Sequence, residues 1–170
     1  MARVSLILGG ARSGKSARAL ALAGAPPHVF IATAEALDGE MLERIAQHKA
    51  ERGESWGLVE EPLELAEAVR ANARHGTTLV VDCLTLWLSN LMHRERDVEA
   101  ETARLIEALA AVPGRVVLVS NEVGMGLVPV NALGRDFRDA QGRLNQQIAA
   151  VADHVEFLAA GLPLVLKGAP

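Results

Sequence analysis

The sequence is poor in several residue types, and each shortage excludes a class of protein. It has a single cysteine, Cys83, so an internal disulfide framework and a cysteine-built zinc site are both excluded. It has no tyrosine, and aromatic residues make up only 3% of the chain, which leaves few surfaces on which nucleic-acid bases could stack. The formal net charge of −4 also argues against a nucleic-acid partner, because such proteins usually carry a basic face.

Long apolar runs and lysines are scarce as well. No stretch approaches the ~20 apolar residues that cross a bilayer, and no basic segment precedes a cleavable apolar one. We therefore expect a soluble, cytoplasmic protein without a membrane span. The chain has only three lysines, and two of them, Lys15 and Lys49, fall in stretches that we assign to the site below.

The pattern of apolar residues predicts the fold class. With 170 residues, half of them hydrophobic, the chain can form a single domain, residues 1–170, with a sizeable core. Strands are predicted at 3–8, 28–32, 56–59, 78–81 and 115–120, helices at 16–23, 38–52, 62–75, 84–92, 98–112 and 131–152, and a closing hairpin at 155–158 and 164–166. This alternation predicts an α/β fold with a mainly parallel central sheet, an antiparallel C-terminal end and helices on both faces.

The N-terminal strand leads into a glycine-rich loop that matches a phosphate-binding P-loop. Gly9 is followed after four residues by Gly14, Lys15 and Ser16, and a helix is predicted directly afterwards. Glycines let consecutive backbone N–H groups turn toward a phosphate, and the helix N-terminus favours the same anion. Lys15 would reach the β- and γ-phosphates, and the Ser16 hydroxyl would bind Mg²⁺. The alternative is a turn that only joins a strand to a helix.

Two acidic residues follow predicted strands and are candidate metal ligands. Asp82 ends the run 79–81, and Glu122 follows the strand 115–120. Ligands of open α/β folds bind beyond the carboxyl ends of the strands, so both carboxylates are expected near the P-loop. Asp82 could instead only cap the next helix, and Glu122 could be an ordinary loop residue or a general base.

His48 is a candidate nucleophile on the predicted helix 38–52. It shares a stripe with apolar residues, so a half-buried packing role is the simpler interpretation. Three cations, Arg44, Lys49 and Arg52, stand beside it or one turn away. Their charge would favour the neutral imidazole that a nucleophile needs, and they could also hold a triphosphate.

Several of these segments together resemble one enzyme family. They are Gly9-Gly-Ala-Arg-Ser-Gly-Lys-Ser16, Phe30-Ile-Ala-Thr-Ala34, Arg44-Ile-x-x-His48-x-x-x-Arg52, Ser120-Asn-Glu-Val-Gly-Met-Gly126 with Val128-Pro129, and Gly142-Arg-x-Asn-Gln-Gln147. In this order they resemble the bifunctional adenosylcobinamide kinase and adenosylcobinamide-phosphate guanylyltransferase family of cobalamin biosynthesis. The P-loop is common to very many proteins. The motifs of the His48 helix and of the loop after Ser120 are much more specific to this family.

The resemblance implies a two-step enzyme with ATP or GTP as substrates and Mg²⁺ as cofactor. Such enzymes phosphorylate adenosylcobinamide with a nucleoside triphosphate. They then transfer GMP from GTP, through a GMP-histidine intermediate, to the new phosphate, giving adenosylcobinamide-GDP and pyrophosphate. His48 matches the family's nucleophilic histidine, and Lys15 is the second expected catalytic residue.

The resemblance also implies the nucleotide contacts and the assembly. The expected nucleotide-binding residues are Gly9, Gly10, Ala11, Arg12, Ser13, Gly14, Lys15, Ser16, Ala34, Glu35, Ala36, Lys49, Ala50, Glu51, Arg52, Glu60 and Asp82. The expected metal ligands are Ser16, Asp82 and Glu122. Members are homotrimers with a RecA-like fold and a site near subunit boundaries. This chain has Leu20 where relatives often have Glu, and Asp82 where some have Glu, which shortens that side chain by one methylene.

Two other functions use the same P-loop. One is a monofunctional kinase for another small hydroxyl compound, which would form no covalent GMP adduct. The other is a RecA-type regulatory ATPase, whose turnover would respond to a macromolecular partner and need no small-molecule acceptor.

Overall fold

The structure is a computed structural model, and it describes residues 3–35 and 56–169. In chain order the elements are β1 Val4–Gly9, α1 Lys15–Ala23, β2 His28–Ala32, β3 Trp56–Glu60, α2 Leu65–Asn72, β4 Thr78–Asp82, α3 Leu84–His93, α4 Val98–Ala111, β5 Arg115–Asn121, α5 Ala132–Val151, β6 His154–Ala159 and β7 Leu162–Lys167. The predicted helix 38–52 lies outside the described residues.

The described strands form one sheet of seven, in the order β3-β2-β4-β5-β1-β6-β7. All neighbours pair in parallel except β6 and β7, which form the antiparallel hairpin at one edge. The predicted α/β class, the mainly parallel sheet and its antiparallel C-terminal end are therefore confirmed. Because β5 lies between β1 and β4, the P-loop and Asp82 belong to strands that are not direct neighbours.

The apolar runs are continuous because the central strands are buried on both faces. Successive residues of β1 alternate between two cores: Leu6 and Leu8 belong to the larger cluster and Ile7 to the smaller. Helix α1 covers the smaller cluster with Ala19 and Leu20, while α2 to α5 contribute to the larger one. The described helices thus lie on both faces of the sheet, as predicted.

Most predicted boundaries agree with the structure within one or two residues, but α2 is shorter than expected. The prediction was a helix over 62–75, whereas the helix spans Leu65–Asn72. The Glu61 carboxylate accepts hydrogen bonds from the backbone N–H groups of Leu63 and Glu64, at 3.0 and 2.9 Å, and so holds a turn before the helix. Within the two described ranges, no helix combines the length and hydropathy required of a membrane span.

Candidate nucleotide site

The P-loop connects the end of β1 to the start of α1. Two of its glycines, Gly9 and Gly14, are needed because other atoms approach them closely. A Cβ on Gly9 would lie 2.5 Å from Ser13 Oγ and 2.8 Å from the Leu158 carbonyl oxygen. Gly14 has φ +96°, and a Cβ there would lie 3.2 Å from the Cα of Gly161 in the β6–β7 turn. The loop is also anchored from that turn, since the Gly161 N–H donates to the Ser13 carbonyl at 2.9 Å. The spacing motif therefore folds into a tight, externally braced loop.

Lys15 begins α1 and is largely buried within the loop. Its Nζ donates to the Gly10 carbonyl oxygen and lies 3.4 Å from Ser13 Oγ. Burial lowers the pKa of Lys15 from its ordinary value, and the nearby charge of Asp82 opposes that shift. The amine is thus placed on the inner side of the loop, where an anion would compensate for its desolvation.

Asp82 ends β4 and makes direct contact with the P-loop. The Ser16 hydroxyl donates to Asp82 Oδ2 at 2.7 Å, although the two residues are 66 positions apart. A hydroxyl and a carboxylate side by side are oxygen ligands of the kind that Mg²⁺ takes beside substrate phosphates. In the part of the chain that the structure describes, no group of three or more His, Cys, Asp or Glu forms a metal-binding cluster.

A cavity of about 550 Å³ opens between the P-loop and the ends of β4 and β5. It is lined by residues 11–17, Asp82, Cys83, Leu86, Val119 and Asn121. The structure therefore brings together most of the predicted P-loop residues and Asp82 around one concave space. Such a space beyond the carboxyl ends of parallel strands is where α/β folds bind nucleotides.

Asn121 belongs to this cavity, and sequence reasoning did not assign it to the site. Its backbone N–H donates to Thr85 Oγ1 at 2.8 Å, and its carbonyl accepts from Asn145 Nδ2 at 3.1 Å. Asn145 Oδ1 in turn accepts from Ser120 Oγ at 2.6 Å and from Gln141 Nε2 at 3.0 Å. The end of β5 is therefore held in place by the polar side chains of Thr85, Gln141 and Asn145. The motifs 120–126 and 142–147 carried the only signal for this network.

Cys83 also lines the cavity, and its thiol is kept in the protonated form. Burial, followed by the neighbouring charge of Asp82, raises the pKa of Cys83 to about 11. The backbone at Cys83 is fixed by Thr33, whose Oγ1 donates to the Cys83 carbonyl at 2.7 Å and accepts from its N–H at 3.0 Å. Cys83 is thus a small, buried residue directly after β4, with 7% of its surface exposed.

The remaining predicted residues lie at the same edge of the sheet or outside the described part. In register, Ala32 pairs with both Asp82 and Glu60, so Ala34 and Glu35 follow β2 at the edge where these acids lie. Glu35 forms an ion pair with Arg94 at 2.8 Å. The other predicted residues, Ala36, His48, Lys49, Ala50, Glu51 and Arg52, lie outside the described residues.

Glu122 follows β5, and both of its carboxylate oxygens accept hydrogen bonds from its own loop. Oε1 accepts from the Gly124 N–H at 2.7 Å and Oε2 from the Met125 N–H at 3.0 Å. Its backbone N–H donates to the Gly9 carbonyl at 2.9 Å, which ties the loop to the end of β1. The role of Glu122 as a metal ligand stays a prediction.

The strand order, the P-loop and the Ser16–Asp82 contact define a P-loop nucleotide-binding protein. The fold is similar to that of solved P-loop proteins at TM-scores of 0.54, although identities are low. The family model for cobinamide kinase / cobinamide phosphate guanyltransferase matches residues 5–166. The chain therefore belongs to the cobinamide kinase / cobinamide phosphate guanyltransferase family.

Curated relatives agree with this assignment. The chain is 50% identical over 169 residues to the bifunctional adenosylcobalamin biosynthesis protein CobP of Pseudomonas aeruginosa, with 97% of this chain and 98% of the relative covered. It is 40% identical over 178 residues to the bifunctional adenosylcobalamin biosynthesis protein CobU of Escherichia coli, covering 95% and 98%.

The structural relatives are more distant and show the fold alone. The P4 protein of bacteriophage phi6, solved in complex with ADP, is 15% identical; the match covers 95% of this chain and 52% of that one. An ATPase of a bacterial type III secretion system is 12% identical, with 96% and 56% covered. A Pyrococcus horikoshii protein, PH0250, matches with a TM-score of 0.55 at 12% identity. The match covers 99% of this chain and 87% of that one.

Proposed function

We propose that this chain, as one catalytic domain over residues 1–170, phosphorylates adenosylcobinamide and then transfers GMP to the product. The observation that carries the proposal is the contact between Ser16 Oγ and Asp82 Oδ2 at 2.7 Å, beside the buried Lys15 in a cavity of about 550 Å³. Membership of the family supplies the substrate class, and the P-loop supplies the site at which a triphosphate is held.

In the first step, the hydroxyl of the acceptor attacks the γ-phosphorus of ATP or GTP. The bond to the β-γ bridging oxygen breaks, the nucleoside diphosphate leaves, and the hydroxyl proton passes to solvent. Lys15 and the N–H groups at the start of α1 hold the phosphates in line and stabilise the charge on the transferred group. Ser16 and Asp82 would hold Mg²⁺, which neutralises phosphate charge when bound; Glu122 is the third proposed ligand.

In the second step, the imidazole of His48 attacks the α-phosphorus of GTP and pyrophosphate leaves. A phosphate oxygen of adenosylcobinamide phosphate then attacks the same phosphorus, and the bond to the histidine nitrogen breaks. The product is adenosylcobinamide-GDP, and His48 is regenerated. Splitting one displacement into two in this way is the general advantage of a covalent intermediate.

The nucleotide contacts in this proposal come from three regions. The P-loop residues 9–16 hold the phosphates, and Asp82 faces them. Ala34, Glu35, Ala36 and Glu60 contribute from the ends of β2 and β3. Lys49, Ala50, Glu51 and Arg52 contribute beside His48, as the resemblance implies.

We further propose that the enzyme is a cytoplasmic homotrimer without nucleic-acid partners. The resemblance implies the trimer, and the edge strand β7 supports a contact between subunits. Leu162, Leu164 and Leu166 on this strand are 71, 61 and 56% exposed. An apolar edge strand of this kind is normally covered by another chain.

The guanylyl-transfer step is tested with GTP labelled at the α-phosphate. Wild-type protein should take up an acid-labile, hydroxylamine-sensitive label, and His48→Ala should take up less than about 1% of it because the nucleophile is gone. His75→Ala, which removes an exposed histidine outside the cavity lining, is the matched control and should label normally. Persistent labelling of His48→Ala would show that the nucleophile is misassigned.

The complete reaction is tested by mass spectrometry of the corrinoid after incubation with adenosylcobinamide and GTP. A gain of GMP and phosphate together supports the two-step enzyme. A gain of phosphate alone supports a monofunctional kinase. Nucleotide hydrolysis with an unchanged corrinoid supports an ATPase.

A further inference from the structure

The segment that follows Glu122 presents an unusual number of apolar side chains to the surface. We call residues 123–133 the apolar loop. The exposed fractions in this loop are 37% for Val123, 79% for Met125, 97% for Leu127, 64% for Val128, 97% for Val130 and 71% for Leu133. Single exposed apolar residues are ordinary, but a contiguous group of this kind marks a binding surface.

Polar contacts hold the backbone of the apolar loop near its start and near its end. The Glu122 carboxylate holds the N–H groups of Gly124 and Met125 at its start. Arg135 Nη1 donates to the carbonyls of Pro129 and Val130, both at 3.0 Å. The loop therefore displays its apolar side chains on an ordered backbone, which reduces the entropy cost of binding a ligand there.

The apolar loop begins close to the nucleotide cavity. Asn121, two residues before the loop, lines that cavity, and so does Leu86 on α3. Farther along α3, Met92 and His93 line a second cavity of about 480 Å³, whose other walls include Leu133 and Phe137. Met92 is six positions after Leu86, or ~9 Å along the helix at 1.5 Å per residue, so the two cavities are neighbours along one helix.

We propose that the apolar loop and this second cavity hold the corrin macrocycle of the acceptor while its hydroxyl reaches the nucleotide cavity. The inference rests on the proposed function, because a hydroxyl in line with the γ-phosphate places the bulk of the acceptor at the mouth of the nucleotide cavity. A corrinoid offers an apolar ring with peripheral amides. The apolar loop meets the ring, and the polar side chains of Ser89 and Asn131 in the second cavity match the amides.

A second copy of the chain is the competing occupant. Within the described residues, β7 offers a separate apolar edge for contacts between copies, whereas the apolar loop follows β5, whose last residue, Asn121, lines the nucleotide cavity. The corrinoid is favoured for this reason. The two occupants differ in the measurements below.

The test uses Leu127→Asn and Val130→Asn, singly and together, in the full chain. Both side chains are 97% exposed, so the substitutions should leave the fold intact. Val151→Asn is the matched control, because Val151 is 42% exposed at the opposite end of α5. The measurements are the Kd for adenosylcobinamide, GTP labelling and the mass of the assembly in solution.

We expect the Kd for adenosylcobinamide to rise about tenfold per substitution, as the loss of one apolar contact predicts, with labelling and mass unchanged. An unchanged Kd would overturn the proposal, and so would a rise in Kd accompanied by a smaller assembly, since the loop would then join copies of the chain. If wild-type protein fails to phosphorylate adenosylcobinamide at all, the proposed function itself fails. Phosphorylation by wild type together with normal binding by both variants refutes this inference alone.

Discussion

Asp82 connects the end of β4 to the P-loop through its contact with Ser16. Asp82→Asn keeps an acceptor for the Ser16 hydroxyl but removes the negative charge that would hold Mg²⁺. We expect kcat for phosphoryl transfer to fall about 100-fold or more, with little change in thermal stability. Initial rates over a range of Mg²⁺ concentrations, together with thermal melts, measure this. Unchanged kcat at every Mg²⁺ concentration would contradict the role of Asp82.

Glu122→Gln distinguishes the two possible roles of Glu122, which are to bind the metal or to hold its own loop. If Glu122 binds the metal, the Mg²⁺ concentration needed for half-maximal rate rises. If it only holds the N–H groups of Gly124 and Met125, kcat changes while the Mg²⁺ requirement does not.

Cys83 gives a prediction that needs no substrate. Because its pKa is raised to about 11, only ~0.1% of the thiol is ionised at pH 8, against roughly 20% for an ordinary cysteine. Alkylation by iodoacetamide at pH 8 should therefore be about 200-fold slower in the folded protein than in urea. The rate of mass gain measures this, and equal rates in both conditions would contradict the buried, protonated thiol.

At the scale of single residues, the sequence could predict the groups that a motif spaces along the chain. Gly9, Gly14, Lys15 and Ser16 belong to one short loop, so their spacing alone predicted their convergence. Asn121 could not be found this way, because its orientation depends on Thr85 and Asn145, each more than twenty positions away.

At the scale of elements, α1 is joined to β6 by a partly buried ion pair, in which Glu156 is buried and the Arg18 side chain is 30% exposed. Arg18 donates to both oxygens of Glu156, at 2.7 and 2.6 Å, and His154 Nε2 lies 2.9 Å from the same carboxylate. The bidentate bond from Arg18 is the largest cause that lowers the pKa of Glu156. This pair holds the helix that follows the P-loop against the strand behind it.

Arg18→Met should destabilise the protein by about 2–3 kcal/mol, because it leaves a buried carboxylate without its main partner. Since the folded pKa of Glu156 is lowered, the pair stabilises the fold fully above the unfolded pKa of about 4.3, and that stabilisation is lost as pH falls through the folded value. The variant should thus lose less stability than wild type on acidification. Urea unfolding across the acid range measures both effects.

Arg70→Met is the control for this pair. Arg70 bonds to Glu67 on the surface, with side chains 38 and 65% exposed, so its loss should cost less than about 0.5 kcal/mol. Equal destabilisation by the two substitutions, or parallel pH curves for Arg18→Met and wild type, would contradict the account.

Element types were predictable because their hydrophobic periods were clear. The late start of α2 was not, because it depends on whether the Glu61 side chain bonds to Leu63 and Glu64 or extends into solvent. Hydrophobic periodicity contains no information about which orientation the Glu61 side chain takes.

At the scale of the whole molecule, strand order determines which loops meet. The sequence indicated that Asp82 and the P-loop would share one edge of the sheet, since the carboxyl ends of parallel strands coincide. It could not place β5 between β1 and β4, because all these strands are similar apolar runs. The end of β5 was nevertheless expected near the P-loop through Glu122, and its last residue, Asn121, lines the nucleotide cavity.

The hydrogen bond from Gly161 to the P-loop has a consequence for the proposed trimer. The β6–β7 turn that supports Ser13 and Gly14 belongs to the same hairpin as the apolar edge proposed to face another subunit. We therefore expect that, in the proposed trimer, contacts that stabilise this hairpin also stabilise the P-loop, which would link assembly and triphosphate affinity reciprocally. Diluting the enzyme until it dissociates should weaken GTP binding several-fold, as titrations at falling protein concentration would reveal. An affinity independent of concentration across dissociation would mean that each subunit grips its nucleotide alone.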